Sequence, residues 1–181
     1  MIKTKEDLKY YIEQDRIANK VKKASAYRIT FYSYYKKIWN FLFYMRKCEY
    51  HTNARGGVHK LLAKYYEIKK DAIGGKLGFS IPVNTFEEGL CIHHYGSIVV
   101  STEARIGKNC YLIGDVFIGQ TGKPGAPIIG DNVGFGAGAK VIGPVRVGSN
   151  VRIGANAVVT KDIEDNVKIA GVPAKVIGRL Y

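Results

Sequence analysis

The sequence predicts a mainly β fold, a solenoid of short flat turns, preceded by an α-helical N-terminal part. Three observations in the last third of the 181 residues predict it. An apolar residue returns every sixth position: Val100, Ile106, Leu112 and Ile118, then Ile129, Phe135, Val141, Val147, Ile153 and Val159. Four residues after most of them stands a second, small or branched residue: Ala104, Cys110, Val116, Val133, Ala139, Val145, Val151, Ala157 and Ile163. Glycine often follows the first, at Gly107, Gly130, Gly136, Gly148 and Gly154. A period of six matches neither an amphipathic helix nor an alternating strand. It matches a coil in which each six-residue unit makes one face and then turns. Glycine next to the inward residue permits either a positive φ or a close backbone approach at the corner.

Composition sets the frame for the rest. The length suits one domain or one and a half. The formal charge is +13, and residues 1–75 carry +10 of it (17 Lys+Arg against 7 Asp+Glu). Basicity therefore belongs to the front of the chain. Cys48, Cys91 and Cys110 are odd in number and form no CxxC. A disulfide framework is not expected, and a reducing cytoplasm is. The first residues lack the apolar core of a signal peptide. The longest apolar stretch, residues 39–45, is far short of a membrane span.

In chain order, Thr4 and Asp7 read as a capping box opening a first helix with Leu8, Tyr11 and Ile12 on one stripe. A second helical run is expected over residues 27–47. It mixes aromatics (Tyr32, Trp39, Phe41, Phe43, Tyr44) with cations (Arg28, Lys36, Lys37, Arg46, Lys47). A third is expected over 57–71, with Val58, Leu61, Leu62, Tyr65 and Ile68 in phase. Gly74 and Gly75 should close it and mark a boundary between a helical domain, 1–75, and a solenoid domain, 76–181. Two uses of the basic aromatic helices stay open: covering the open end of the solenoid, and touching an anionic membrane surface. No nucleic-acid-binding motif accompanies the charge.

Counting back six from Val100 lands on His94, a histidine where the core wants an aliphatic residue, beside His93. Between Ile118 and Ile129 eleven residues replace six. The added text, 121–127, is turn-forming and reads as a loop extruded from a rigid scaffold, a common place for ligand contacts. Pro173 should end the last coil, with residues 176–180 packing back over it.

At the repeat residues the chain resembles the hexapeptide-repeat acyltransferases, whose units build a left-handed parallel β-helix. Over about residues 78–181 it is similar to serine acetyltransferases and bacterial polysaccharide O-acetyltransferases. The shared text is His94 with Ile98 to Val100, Thr121 to Lys123, Gly136 to Lys140, Ile153 to Val159, and Ala170 to Lys175. The resemblance implies that His94 is the general base for direct transfer from acetyl-CoA to an acceptor hydroxyl. Imidazole suits this, since its unperturbed pKa lies near neutral pH. It implies a homotrimer, with pairing of trimers a further option, and CoA lying in a groove between subunits. Gly136, Ala137, Gly138 and Ala155 match the contact positions, Thr121 and Gly122 the start of the closing loop, and Lys140, Lys161 and Lys175 are candidates for the CoA phosphates. No metal is implied. His93, Glu87, Glu88 and Asn84 are the candidates to orient His94. A Cys91–His94 covalent route is the minor alternative.

Departures from the family pattern bear on the acceptor. Serine acetyltransferases carry an aspartate fifteen residues before the histidine, where this chain has Phe79, and another just before it, where this chain has His93. Their Arg-His pair after the loop is replaced by Gly125 to Ile128. An amino-acid acceptor needs countercharges, because burying an unpaired charge is costly. The expectation is therefore an O-acetyltransferase acting on a glycan or nucleotide-sugar hydroxyl in cell-surface polysaccharide synthesis. It would be cytoplasmic, with peripheral contact at the inner membrane face. Serine O-acetylation, N-acetylation of an amino-sugar and a non-catalytic scaffold are the alternatives.

Overall fold

A computed structural model describes residues 1–22, 34–120, 122 and 124–180. The described residues form three helices, α1 (Lys5–Ala18), α2 (Tyr34–Asn53) and α3 (Gly57–Leu77). Short strands follow: β1 (Phe79–Ser80), β2 (Cys91–Ile92), β3 (Ile98–Val100), β4 (Arg105–Ile106), β5 (Tyr111–Leu112), β6 (Phe117–Gly119) and β7 (Ile128–Ile129). The series ends with β8 (Gly134–Phe135), β9 (Lys140–Ile142), β10 (Arg146–Val147), β11 (Arg152–Ile153), β12 (Val158–Val159), β13 (Val167–Ala170) and β14 (Lys175–Arg179).

The strands stack into three parallel sheets, the faces of a triangular prism. The first face is β1-β3-β6-β9-β12, the second β4-β7-β10, and the third β2-β5-β8-β11-β13 with β14 added antiparallel. Val99 and Val100 pair with Phe117 and Ile118, and Phe135 with Ile153, so successive coils are eighteen residues apart there. All ten residues of the six-residue frame are buried. Each such side chain contributes on the order of 2 kcal/mol by leaving water. β14 folds back on β13, as the C-terminal text suggested.

The corners decide between the two roles open to the frame glycines. Gly107, Gly130, Gly136, Gly148 and Gly154 are absent from the positive-φ residues, which at the corners include Asn109, Asp115, Asn132, Asn150, Asn156 and Asn166 beside other glycines such as Gly114 and Gly138. Short polar side chains tolerate the left-handed region better than other non-glycine residues. Three of these asparagines form a ladder: Asn132 Nδ2 donates to Asn150 Oδ1 (3.1 Å), and Asn150 Nδ2 to Asn166 Oδ1 (2.9 Å). The frame glycines serve close approach: a Cβ on Gly107 would lie 2.7 Å from the Gly130 carbonyl of the next coil.

The Thr4–Asp7 capping box is present at α1. Residues 27–33 of the expected second helix lie outside the described residues. In α2, several of the aromatics turn inward. Trp39, Phe41 and Tyr44 are buried, and Ile38, Phe41, Leu42 and Met45 join the solenoid's own core. Phe41 meets Phe79 edge to face at 5.2 Å. The helices thereby cover the first coil. Gly74 and Gly75 do not close α3, which runs on to Leu77 and ends at Gly78 in the left-handed conformation. Gly74 is needed for packing, since a Cβ there would stand 2.8 Å from the Phe79 carbonyl oxygen.

A buried ionic hub fastens the helices to the coil that leads to His94. Arg46 is 0% exposed. It donates to Asp15 through Nε (2.8 Å) and to Glu49 through Nη1 (2.9 Å), and to the carbonyls of Phe86 and Glu87 (2.8 Å each). Asp15 Oδ1 in turn accepts from the backbone N–H groups of Gly89 (2.8 Å) and Leu90 (2.9 Å), and Glu49 Oε1 from that of Asn84 (2.8 Å). Burial works against the guanidinium charge, but Asp15 and Glu49 outweigh it and hold Arg46 protonated well above its ordinary range.

Candidate active site

His94 is not in the repeat frame. Ile92 pairs with Leu112 and Val100 with Ile118. Leu112 and Ile118 are six apart, whereas Ile92 and Val100 are eight apart. Ile92 is the core residue of that turn, and two extra residues push the corner 93–97 outward. His93, His94 and Tyr95 are consequently exposed. An imidazole sealed in the prism could not reach a substrate; this one stands at the corner.

That corner, between the third and first faces, continues down the prism through Gly114, Gly136 to Gly138, Asn156 and Gly171. Hydrogen bonds tie the coils there: Gly138 N donates to Gly114 O (3.0 Å), Asn156 N to Ala137 O (2.8 Å), and Val158 N to Gly171 O (3.0 Å). A Cβ built on Gly114 would lie 3.6 Å from His94 Cβ, which places that glycine directly under the histidine. Asp115 Oδ1 accepts from Ser97 N at 2.8 Å and so ties the His94 corner to the next coil.

Gly136, Ala137, Gly138 and Ala155 therefore lie along one edge with His94. Two of them answer to the coil itself. A Cβ on Gly136 would stand 2.6 Å from Ala155 N, and Gly138 has φ +75° against Asn156 Oδ1. Ala137 and Ala155 are exposed, and their methyl groups leave the backbone open to a long ligand. Lys140, on β9, turns its ammonium back to this edge and donates to Gly138 O (3.0 Å). Lys175 pairs in register with Ala170 just above Gly171. Lys161 belongs elsewhere, lining a hollow with Gly143, Pro144 and Asp162 at the corner between the first and second faces. The extruded loop springs from that same corner; its Gly125 rests on Pro144, and Gly122 is exposed. Thr121 lies outside the described residues. A face three residues wide, about 10 Å, separates the two groups. Within one chain the histidine edge and the loop edge are thus different edges.

The residues proposed to orient His94 have their own partners. Glu87 accepts from the Tyr11 hydroxyl, Glu88 Oε1 pairs with Lys108 Nζ (3.1 Å), and Asn84 exchanges side-chain hydrogen bonds with Asn53. His93 turns onto the third face, where its ring meets Tyr111 edge to face at 5.8 Å and its Nε2 lies 3.8 Å from Cys91 Sγ. Cys91 therefore neighbours His93. Burial pushes its thiol up to about 11, so it stays protonated at neutral pH, which speaks against the covalent route.

The position where the resemblance expects an aspartate holds the buried ring of Phe79. One cation near the corner was not visible in the sequence. A cavity of about 240 Å³ beside His93 is lined by Asn19, Lys20, Val21, Ile38, Cys91 and Ile92. Lys20 comes from the end of the α1 segment, more than seventy residues upstream, and only the fold brings it there. Asn19 fixes that segment by donating to Leu90 O (2.8 Å) and accepting from Ile92 N (3.2 Å).

Residues 126–161 match the profile described as bacterial transferase hexapeptide (six repeats), which fits the left-handed coil expected of such repeats. A serine acetyltransferase of Synechococcus elongatus is 39% identical over 95 residues, 51% of this chain and 39% of that protein. A serine acetyltransferase of Staphylococcus aureus is 28% identical over 176 residues, 96% of this chain and 76% of its own length. The crystal structure of a Brucella abortus serine acetyltransferase in complex with coenzyme A shares the fold, with a TM-score of 0.74 at 23% identity over 98% of this chain and 70% of that one. The chain thus spans about two fifths of the Synechococcus protein it matches.

Proposed function

We propose that this chain transfers an acetyl group from acetyl-CoA to a hydroxyl acceptor, with His94 as general base. The observation that carries the proposal is the exposed imidazole at the head of an edge on which Gly114 lies directly beneath it and Ala137 and Ala155 leave the backbone open. An imidazole nitrogen takes the hydroxyl proton as the oxygen attacks the thioester carbonyl. The C–S bond then breaks, and the CoA sulfur leaves with the proton returned by the imidazolium. An alcohol is a poor nucleophile at pH 7, and a base poised near that pH is what it needs. The oxyanion requires a hydrogen-bond donor, a part suited to a backbone N–H of the corner.

CoA would run down the edge past Ala137 and Ala155, with Lys140 and Lys175 meeting its phosphates. Gly122 and Lys161 stand on the other edge, so in this proposal they, together with Thr121 beside Gly122 in the sequence, act on the CoA held by a neighbouring copy. The trimer expected from the resemblance supplies that neighbour. His93 would line the acceptor side.

L-serine is the acceptor that the relatives' names support, better than the sugar first expected. Lys20 adds to it, because it offers a countercharge for a carboxylate beside His93. A sugar hydroxyl remains as the second reading, carried by Phe79 and by a loop in which Gly125 to Ile128 supply no cation. Catalysis in the cytoplasm, with the basic helices near an anionic membrane, is part of the same proposal; no described helix is long and apolar enough to cross one. The test follows CoA thiol release with L-serine and with a panel of sugars and nucleotide-sugars. Release with serine alone supports the first reading, release with a sugar alone the second. Silence with every acceptor favours a scaffold.

A further inference from the structure

A hollow of about 740 Å³ between α1 and α2 plays no part in the chemistry proposed above. Small-molecule sites commonly enclose about 300–1,000 Å³. On α1, Leu8 and Ile12 stand one turn apart, and so do Lys5 and Lys9. Leu8 and Ile12 are buried, and with buried Tyr50 of α2 they give the hollow an apolar floor. Lys5 and Lys9 are exposed beside that floor. Half-buried Lys47 lines it from α2, its ammonium 5.6 Å from the centre of the Phe43 ring. Cations from two helices thus border one apolar patch.

No carboxylate takes up this charge. Among the described residues no ion pair involves Lys5, Lys9 or Lys47. The carboxylate in the lining, Glu13, has its two oxygens gripped by Arg16, through Nη2 (2.7 Å) and Nε (2.8 Å). The lining itself holds ammonium groups and no guanidinium. A planar fork matches a carboxylate, whereas ammonium groups act as point charges that suit the several oxygens of a phosphate. A bare inorganic ion would leave the apolar floor unused.

We propose that the α1–α2 hollow binds an amphiphilic phosphate, its head among Lys5, Lys9 and Lys47 and its apolar body on Leu8, Ile12 and Tyr50. Such a molecule arrives either free in solution or as a lipid of an anionic bilayer. The site is independent of the acetyl-transfer chemistry, and it gives the membrane contact proposed above an address.

The test titrates the full chain with hexyl phosphate and with inorganic phosphate by calorimetry. Hexyl phosphate should bind about tenfold or more tightly than inorganic phosphate, because its chain leaves water. Lys9→Glu and Lys47→Glu should each weaken hexyl phosphate by about tenfold or more. Lys76→Glu makes the same charge change at an exposed position of α3 outside the hollow, and should alter binding by less than about twofold. Unmeasurable hexyl phosphate binding, or an equal loss in Lys76→Glu, overturns the site. So does a hexyl chain that adds nothing to inorganic phosphate. Flotation with phosphatidylglycerol vesicles separates the two sources. Flotation lost in Lys9→Glu and kept in Lys76→Glu supports the site with a bilayer lipid as its ligand. Hexyl phosphate binding without flotation supports the site with a free ligand and ends the membrane contact. Flotation unaltered in Lys9→Glu and Lys47→Glu, with no hexyl phosphate bound, overturns the site and leaves the membrane contact standing.

Discussion

Arg46 Nε and Asp15 Oδ2 lie 2.8 Å apart with neither side chain more than 1% exposed, and through them two helices grip the coil that ends in His94. Burying charge is costly unless every partner is present, and here the guanidinium finds two carboxylates and two carbonyls. Removing Arg46 leaves two buried carboxylates without their countercharge.

Arg46→Met should therefore cost about 3–5 kcal/mol. Urea unfolding measures it. A loss below about 1 kcal/mol would mean that water reaches the hub and that it holds nothing.

The corner asparagines make a sharper local prediction. Asn150 has φ +56° and bonds to asparagines above and below. Asn150→Ala loses those bonds and strains the backbone, at about 1–3 kcal/mol, whereas Asn150→Gly relieves the strain and should cost less. Equal melting shifts for the two would remove backbone conformation as the reason for asparagine.

Gly136 and Ala137 are neighbours with different duties. Gly136→Ala must push Ala155 N from 2.6 Å and should destabilise by about 1–3 kcal/mol. Ala137→Trp, on an exposed corner, should leave the melting temperature alone and raise KM for acetyl-CoA at least about tenfold. An unaltered KM would move the donor off this edge.

Lys20→Ala separates the acceptors. It should raise KM for L-serine about tenfold or more and leave KM for acetyl-CoA alone, since one charge-assisted contact is lost. If serine is used equally well without it, the cavity beside His93 is not where the carboxylate binds.

Cys91 provides a pH test. Its thiol is raised to about 11 by burial, so thiolate is scarce below pH 9 and grows only as pH approaches that value. Alkylation by iodoacetamide should follow that rise. Cys91→Ser should keep transfer within about twofold, because no enzyme nucleophile is called for; a loss beyond tenfold would reinstate a covalent route.

How far the sequence could be read depends on whether a feature repeats. Val100, Ile106 and Leu112 announce the coil because each is one of many instances, and their burial follows. His94 was placed in that frame by counting, and counting cannot see two residues added at a corner; Ile92, equally apolar, was the frame residue. The asparagine corners were written beside the glycines but carry no apolar signal. Trp39 and Phe41 stand among lysines, which leaves a packed and a surface role equally readable, and α2 turns them inward. Leu61 and Leu62 were indistinguishable in phase, and only packing separates the inward from the outward one. Lys20 reaches the site by a contact across seventy residues of sequence, which local patterns do not encode.

The central assignment rests on one ring, and His94→Ala tests it most directly. With acetyl-CoA and the best acceptor, kcat should fall by about 10²–10⁴, while calorimetric binding of CoA and the melting temperature stay as they were. Transfer at the parental rate by the folded, CoA-binding variant would contradict the account.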